Sequence, residues 1–212
     1  SPIVELLRQA ARDPKVMAIK LTVYRTGSDS PLVRALEEAA QAGKEVTAVI
    51  ELMARFDEAA NIDLATRLQE AGARVVYGVV GYKAHAKMLL IVRQENDGIL
   101  RYGHISTGNY HIQTSKSYTD WGLLTTDPEV TEDIHNLFQQ LTGLGRVSEL
   151  NKLWQSPFTL HKNLIEAIEI ETANARNGEK SRIIAKMNSI IEQDVINKLY
   201  EASQAGVQID LI

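Results

Sequence analysis

The sequence predicts an α/β protein: a mixed sheet flanked by helices, with one complete unit followed by the start of a second. Three observations point there. Short apolar runs alternate with amphipathic stretches through the first half of the chain. An apolar segment, "KAHAKMLLIV", is followed across the turn sequence "ENDG" by a run able to pair back on it. Near the end, "SRIIAKMNSI" and "VINKLYEASQAGVQIDLI" repeat the layout of "VMAIKLTVY" and "LVRALEEAAQAGKEVTAVI".

In chain order, 16–24 reads as a strand and 30–43 as a helix, with Ser30 as cap, Pro31 in its first turn and Gly43 at its end. A second strand follows at 44–52, a second helix at 57–72 ending on Gly72, and a third strand at 73–80. This β-α-β-α-β order implies parallel neighbours joined by right-handed crossovers. Residues 83–92 are predicted to continue the sheet, with 99–106 pairing antiparallel across the turn. Between 127 and 180 the pattern is helical, broken at "QSPF". The repeat then begins, shares the Ala-Gly helix end, and stops inside its second strand. The chain is therefore expected to be a fragment of a longer protein, with 1–155 as the first unit and 156–212 as a helical connection and truncated second unit.

Composition narrows the function classes. With 212 residues the chain can bury a sizeable core, and a formal net charge of −4 argues against broad attraction to nucleic acid, so any anion site must be local. There is no cysteine, which removes disulfides, thiolate metal sites and a cysteine nucleophile and fits a cytoplasmic setting. "SPIVELLRQAARDPKV" lacks the layout of a signal peptide, and no apolar run is long enough to span a bilayer. A peripheral membrane contact remains compatible with this.

The chemistry is concentrated in "GYKAHAKMLLI" (81–91). If this is a strand, Lys83, His85 and Lys87 share one face and Ala84, Ala86 and Met88 the other. A histidine can act as a nucleophile toward phosphorus, while a lysine two positions on supplies a point charge for the non-bridging oxygens. "STGNY" follows about twenty residues later, and Thr107 and Asn109 there can donate hydrogen bonds to the same group. Alone, H-x-K is a weak signal, because a strand histidine is more often structural. "TGLGR" (142–146) follows a helix and reads as a helix stop rather than a phosphate cradle.

Joined to a duplicated α/β layout, the H-x-K pair resembles the phospholipase D superfamily. Over essentially the whole chain, "DPKVMAIKLTVYRTG", "ELMARFDEAANI", "KAHAKMLLIVR", "STGNYH", "SYTDWGLLT" and "NLFQQLTGLG" resemble the C-terminal catalytic region of bacterial polyphosphate kinase of the phospholipase-D-like type. The resemblance implies reversible transfer of the γ-phosphate of ATP to polyphosphate through a phosphohistidine, with ATP/ADP and polyphosphate as substrates, Mg²⁺ as cofactor and a homo-oligomeric full-length protein. It implies that His85 is the phosphorylated nucleophile beside Lys87, that Tyr118 contacts the nucleotide, and that Arg25 and Arg55 belong to a magnesium and phosphate site. Val92 stands where the phospholipase pattern carries an aspartate, which fits a kinase better than the alternative, a phosphodiesterase. The truncated repeat adds a further expectation, that the chain as it stands lacks processive polymer synthesis.

Guanidinium carries no free lone pair, and Mg²⁺ takes oxygen ligands, so Arg25 and Arg55 read as a phosphate clamp beside a metal. Both follow predicted strand ends, the edge where open α/β sheets bind ligands. Replacing either by lysine in the full-length protein should slow turnover although the charge is kept, because lysine cannot form the bidentate fork. Wild-type kinetics in Arg25→Lys or Arg55→Lys would remove the clamp role.

Overall fold

The structure, a computed structural model, describes residues 2–24, 30–51, 58–79, 81–111, 114–143 and 149–212. It divides into two units, Ser1–Lys152 and Leu153–Ile212. Helix α1 (Pro2–Arg12) precedes β1 (Val16–Val23), α2 (Pro31–Gln41), β2 (Glu45–Ile50), α3 (Glu58–Glu70) and β3 (Arg74–Tyr77). There follow β4 (Lys87–Glu95), β5 (Gly98–Ser106), the single turn α4 (Thr114–Ser117), β6 (Gly122–Thr125) and α5 (Pro128–Leu141).

These strands form a six-stranded sheet in the order β3-β2-β1-β4-β5-β6. The β1–β2 and β2–β3 pairs are parallel, and β1–β4, β4–β5 and β5–β6 are antiparallel. The mixed sheet expected from the sequence is thus present, with β4 and β5 joined across Asn96 and Asp97. Central strands with helices on their faces must be apolar throughout. Accordingly Ile19, Leu21, Leu89 and Ile91 are fully or almost fully buried and pack with Leu7, Leu36 and Leu68 in one cluster. Each such side chain contributes about 1.5–3 kcal/mol of transfer free energy.

Local signals set the helix ends. Ser30 Oγ accepts the Leu32 amide at 3.3 Å with Pro31 in the first turn, and α2 stops before Gly43, whose φ is 82°. Asp127 caps α5 through the Val130 amide at 2.9 Å, and Gly143 follows its end with φ 73°. In "TGLGR", residues 144–146 lie outside the described residues.

Three elements lie outside the sequence reading. Helix α1 buries Val4, Leu7, Ala10 and Ala11 on one stripe. Strand β6 has both leucines exposed, so it shows no alternation, and only its pairing of Leu123 with Ile105 and Leu124 with His104 makes it a strand. One turn of helix, α4, carries no periodicity at all.

One expectation is corrected: "KAHAKMLLIV" does not enter the sheet at Lys83. The strand begins at Lys87, and 83–86 is irregular. Thr22 explains the break. Its Oγ1 accepts the Met88 amide at 2.8 Å and donates to the Ala86 carbonyl at 2.7 Å, replacing the ladder partners that β1 would supply. Just before it, the His85 amide bonds the Lys83 carbonyl at 2.9 Å, a tight turn that extended backbone cannot make.

The second unit contains α6 (Leu160–Arg176), β7 (Arg182–Ala185), α7 (Gln193–Ala205) and β8 (Gln208–Leu211). β7 and β8 are parallel, with Ile183 beside Ile209, and α7 ends on Gly206 at φ 103°. This β-α-β repeats β1-α2-β2. Its core is Ile168, Val195, Ala202 and Val207, with Ile183, Leu199 and Ile209 packed against it.

On the far side of the first sheet, α5 packs against β4 and β5, and Gly103 is what admits it. A Cβ at this position would lie 2.7 Å from Ile134 Cδ1 and 3.2 Å from Thr131 Cγ2. Gly103→Ala should therefore lower stability by about 1–3 kcal/mol, the usual cost of overpacking, read as an earlier urea midpoint. An unchanged midpoint would show that α5 can withdraw freely.

Candidate phosphoryl-transfer site

The mixed topology gathers several chain segments at one edge of the sheet. Parallel β1 and β2 end there, at Val23 and Ile50. Because β4 runs antiparallel to β1, its first residue, Lys87, lies at that edge too. Lys87 is opposite Ser106, the end of β5, and Ser106 is opposite Gly122, the start of β6. Tyr24, Glu51, 83–87, 106–109 and 120–122 therefore adjoin without a contribution from sequence proximity.

His85 and Lys87 are brought together. Lys87 Nζ lies 3.1 Å from both ring nitrogens and donates to the His85 carbonyl at 2.5 Å. His85 is open to solvent outside, while its inner side meets the Tyr24 ring edge-on at 4.9 Å. The ammonium groups of Lys83 and Lys87 sit 5.4 and 5.0 Å from the same ring centroid. Lys83, His85 and Lys87 thus share a direction, through a common aromatic platform rather than through strand phase.

Desolvation, then the charges of Lys87 and Lys83, hold the imidazole below its usual 6.5, with Glu51 opposing. The ring is neutral at physiological pH, with a lone pair available. Lys87 is only 6 % exposed, and burial brings its ammonium down to about 8 against an opposing pull from Asp120. It remains mostly charged near neutrality.

Thr107 Oγ1 donates to Asp120 at 3.0 Å and accepts the Trp121 amide at 3.0 Å. A Cβ on Gly108 would collide with the Asp120 carboxylate, so only glycine allows this loop to close on Asp120. Asp120 is thus tied to Thr107 and acts on Lys87. Asn109 carries a buried Oδ1 with no hydrogen-bond partner among the described residues, a polar atom still to be satisfied at this edge. Tyr118 is 61 % exposed in the loop between α4 and β6, and the described contacts do not join it to His85. Arg25 and Arg55 lie outside the described residues. His104 is buried, bonded through Nδ1 to the Tyr110 hydroxyl at 2.9 Å, and belongs to the packing of β5.

Two site residues escaped the sequence reading. Tyr24 and Glu51 directly follow the ends of β1 and β2, and Glu51 Oε2 accepts the Ala84 amide at 2.8 Å. Their position directly after apolar strands is the signal available in the sequence.

A mixed sheet carrying a histidine–lysine pair at the carboxyl edge of its parallel strands defines an α/β unit of the phospholipase D fold. The phospholipase D family member Nuc from Salmonella typhimurium matches with a TM-score of 0.52 at 16% identity, over 67% of this chain and 88% of that one. NucT from Helicobacter pylori matches at 0.52 and 13% identity, over 66% and 87%. The likeness to these two is one of fold. The chain itself belongs to the polyphosphate kinase family: polyphosphate kinase C-terminal domain 1 matches residues 1–147 and C-terminal domain 2 matches 153–212. It is 60% identical over 215 residues to polyphosphate kinase of Burkholderia multivorans and 60% identical over 212 residues to that of Neisseria meningitidis. The crystal structure of polyphosphate kinase from Porphyromonas gingivalis matches with a TM-score of 0.88 at 37% identity, covering 99% of this chain and 35% of that one. The chain spans 31% of the length of the curated relatives it matches.

The site's electrostatics have a measurable sign. Because the folded pKa of His85 is depressed, its contribution to stability is fully present above the usual 6.5 and is lost as pH falls through the folded value. Lys87→Met removes a charge that lowers it, so the His85 pKa followed by NMR should rise toward 6.5 in that variant. No change would mean that Lys87 does not govern the ring's protonation.

Proposed function

We propose that the chain is the part of an ATP:polyphosphate phosphotransferase that carries the phosphorylated histidine, His85. One observation carries this reading: an imidazole at the sheet edge with the buried ammonium of Lys87 3.1 Å from both of its ring nitrogens. Membership of the polyphosphate kinase family supports the substrate class.

In the forward direction a ring nitrogen of His85 gives its lone pair to the γ-phosphorus of ATP, a P–N bond forms, the bridging P–O bond breaks, and ADP leaves. The terminal oxygen of a polyphosphate chain then attacks that phosphorus, and the P–N electrons return to the ring. Transfer of this kind is governed by positioning and by charge on the phosphoryl oxygens. Lys87, and Lys83 at the rim, neutralise that charge, while Asn109 and Thr107 line the adjoining loop as hydrogen-bonding groups. Tyr118, exposed beyond α4, offers a face on which an adenine can stack.

Magnesium requires oxygen ligands in near-octahedral array. Glu51 and Asp120 already accept hydrogen bonds, and among the described residues the one gathering of three metal-ligating side chains, His161, Glu192 and Asp194, is in the second unit. Magnesium is commonly held by one or two carboxylates together with substrate phosphates, and Glu51 and Asp120 would be the carboxylates available for that at this edge; no step here uses the ion. No helix is long and apolar enough to cross a membrane among the described residues; a cytoplasmic, homo-oligomeric full-length enzyme belongs to the same reading.

Full-length protein incubated with γ-labelled ATP should acquire an acid-labile, base-stable label, as a phosphorus–nitrogen bond requires. His85→Ala should abolish it, while His104→Ala and His111→Ala should still label, even if more slowly. Label persisting in His85→Ala and mapping to another histidine would overturn the assignment.

A further inference from the structure

A buried carboxylate at the end of an apolar strand calls for an explanation, since it is costly unless its oxygens are bonded. Glu51 is only 5 % exposed and follows a β2 whose last five residues are all buried. Its main chain is locked: its amide bonds the Val23 carbonyl at 3.0 Å, and its carbonyl accepts Asn61 Nδ2 at 2.9 Å. Its side chain reaches the 83–86 segment, where Oε2 accepts the Ala84 amide at 2.8 Å. In the strand order β3-β2-β1-β4, β1 separates β2 from β4. The carboxylate therefore spans the end of β1 to hold the residue next to His85. That segment has left the sheet, so such an anchor replaces the missing ladder.

We propose that Glu51 is the positioning residue of His85: it fixes the nucleophile's segment through the Ala84 amide and sets a negative charge beside the imidazole. This rests on reading His85 as the phosphorylated residue. When the P–N bond forms, the ring that was neutral becomes cationic, with its other nitrogen still protonated. Lys83 and Lys87 oppose that charge while serving the phosphoryl oxygens. Among the described groups acting on His85, Glu51 is the one of opposite sign. The Tyr24 ring edge then limits where the imidazole can turn.

Two variants of the full-length protein separate the two effects. Glu51→Gln keeps an acceptor for the Ala84 amide and removes the charge; Glu51→Ala removes both. In Glu51→Gln, hydrogen exchange at Ala84 should stay near wild type, the His85 pKa should fall further, and labelling by ATP should slow on the order of tenfold, the equivalent of one pKa unit. In Glu51→Ala, protection at Ala84 should be lost and labelling should slow further still. Wild-type exchange at Ala84 in Glu51→Ala, or an unmoved His85 pKa in Glu51→Gln, would overturn the proposal. If Glu51→Ala fails to fold, the near-isosteric Glu51→Gln decides through the His85 titration, which a merely structural role would not shift. Exchange and titration are both read without ATP. If the label lands on another residue, the phosphohistidine reading fails, while the positioning by Glu51 is still decided by these two measurements.

Discussion

The antiparallel pairing of β4 against β1 is the constraint on which the site depends. Parallel strands deliver their carboxyl ends to one edge, and an antiparallel neighbour delivers its amino end to that same edge. His85 and Lys87 precede and open β4, so this pairing alone carries them to the ends of β1 and β2. The β4–β5 and β5–β6 pairs add Ser106 and Gly122 and, with them, the Thr107–Asp120 contact. A register slip of one residue would turn Lys87 to the opposite face and dismantle the set.

Within that frame, Thr22 is the switch between sheet and site. By binding both the Met88 amide and the Ala86 carbonyl, it ends the ladder and frees the three residues ahead of it to turn. The freed segment is then held by other means: Tyr24 collects the cations and the imidazole, and Glu51 takes the Ala84 amide. Burying Lys87 costs solvation and lowers its pKa to about 8, while Asp120 limits the loss of charge. Charge gathered at a partly buried edge is costly to stability.

The second unit uses the same β-α-β grammar with less burial. Both of its strands leave residues exposed, among them Ile184 and Leu211, whereas β1 and β2 are almost wholly enclosed. The duplication visible in the Ala-Gly helix ends therefore corresponds to a shared local architecture. The cores built on it differ in size.

By itself the sequence determined much of the local vocabulary: the strands and helices of the β-α-β-α-β run, the Ser30 cap, the glycine stops, the β4–β5 hairpin, the repeat and the H-x-K pair. Those signals depend on periodicity and on residues a few places apart, so they are legible without a partner. Tertiary structure alone decided that His85 lies outside the strand, because the cause is a hydroxyl on Thr22, sixty-odd residues away. It also decided that β6 is a strand, since an exposed leucine pair acquires that state only by bonding β5. The roles of Tyr24, Glu51 and Asp120 belong to the same class. Each acts on a group distant in sequence, and electrostatics and hydrogen bonds depend on separation in space, which a linear pattern does not carry.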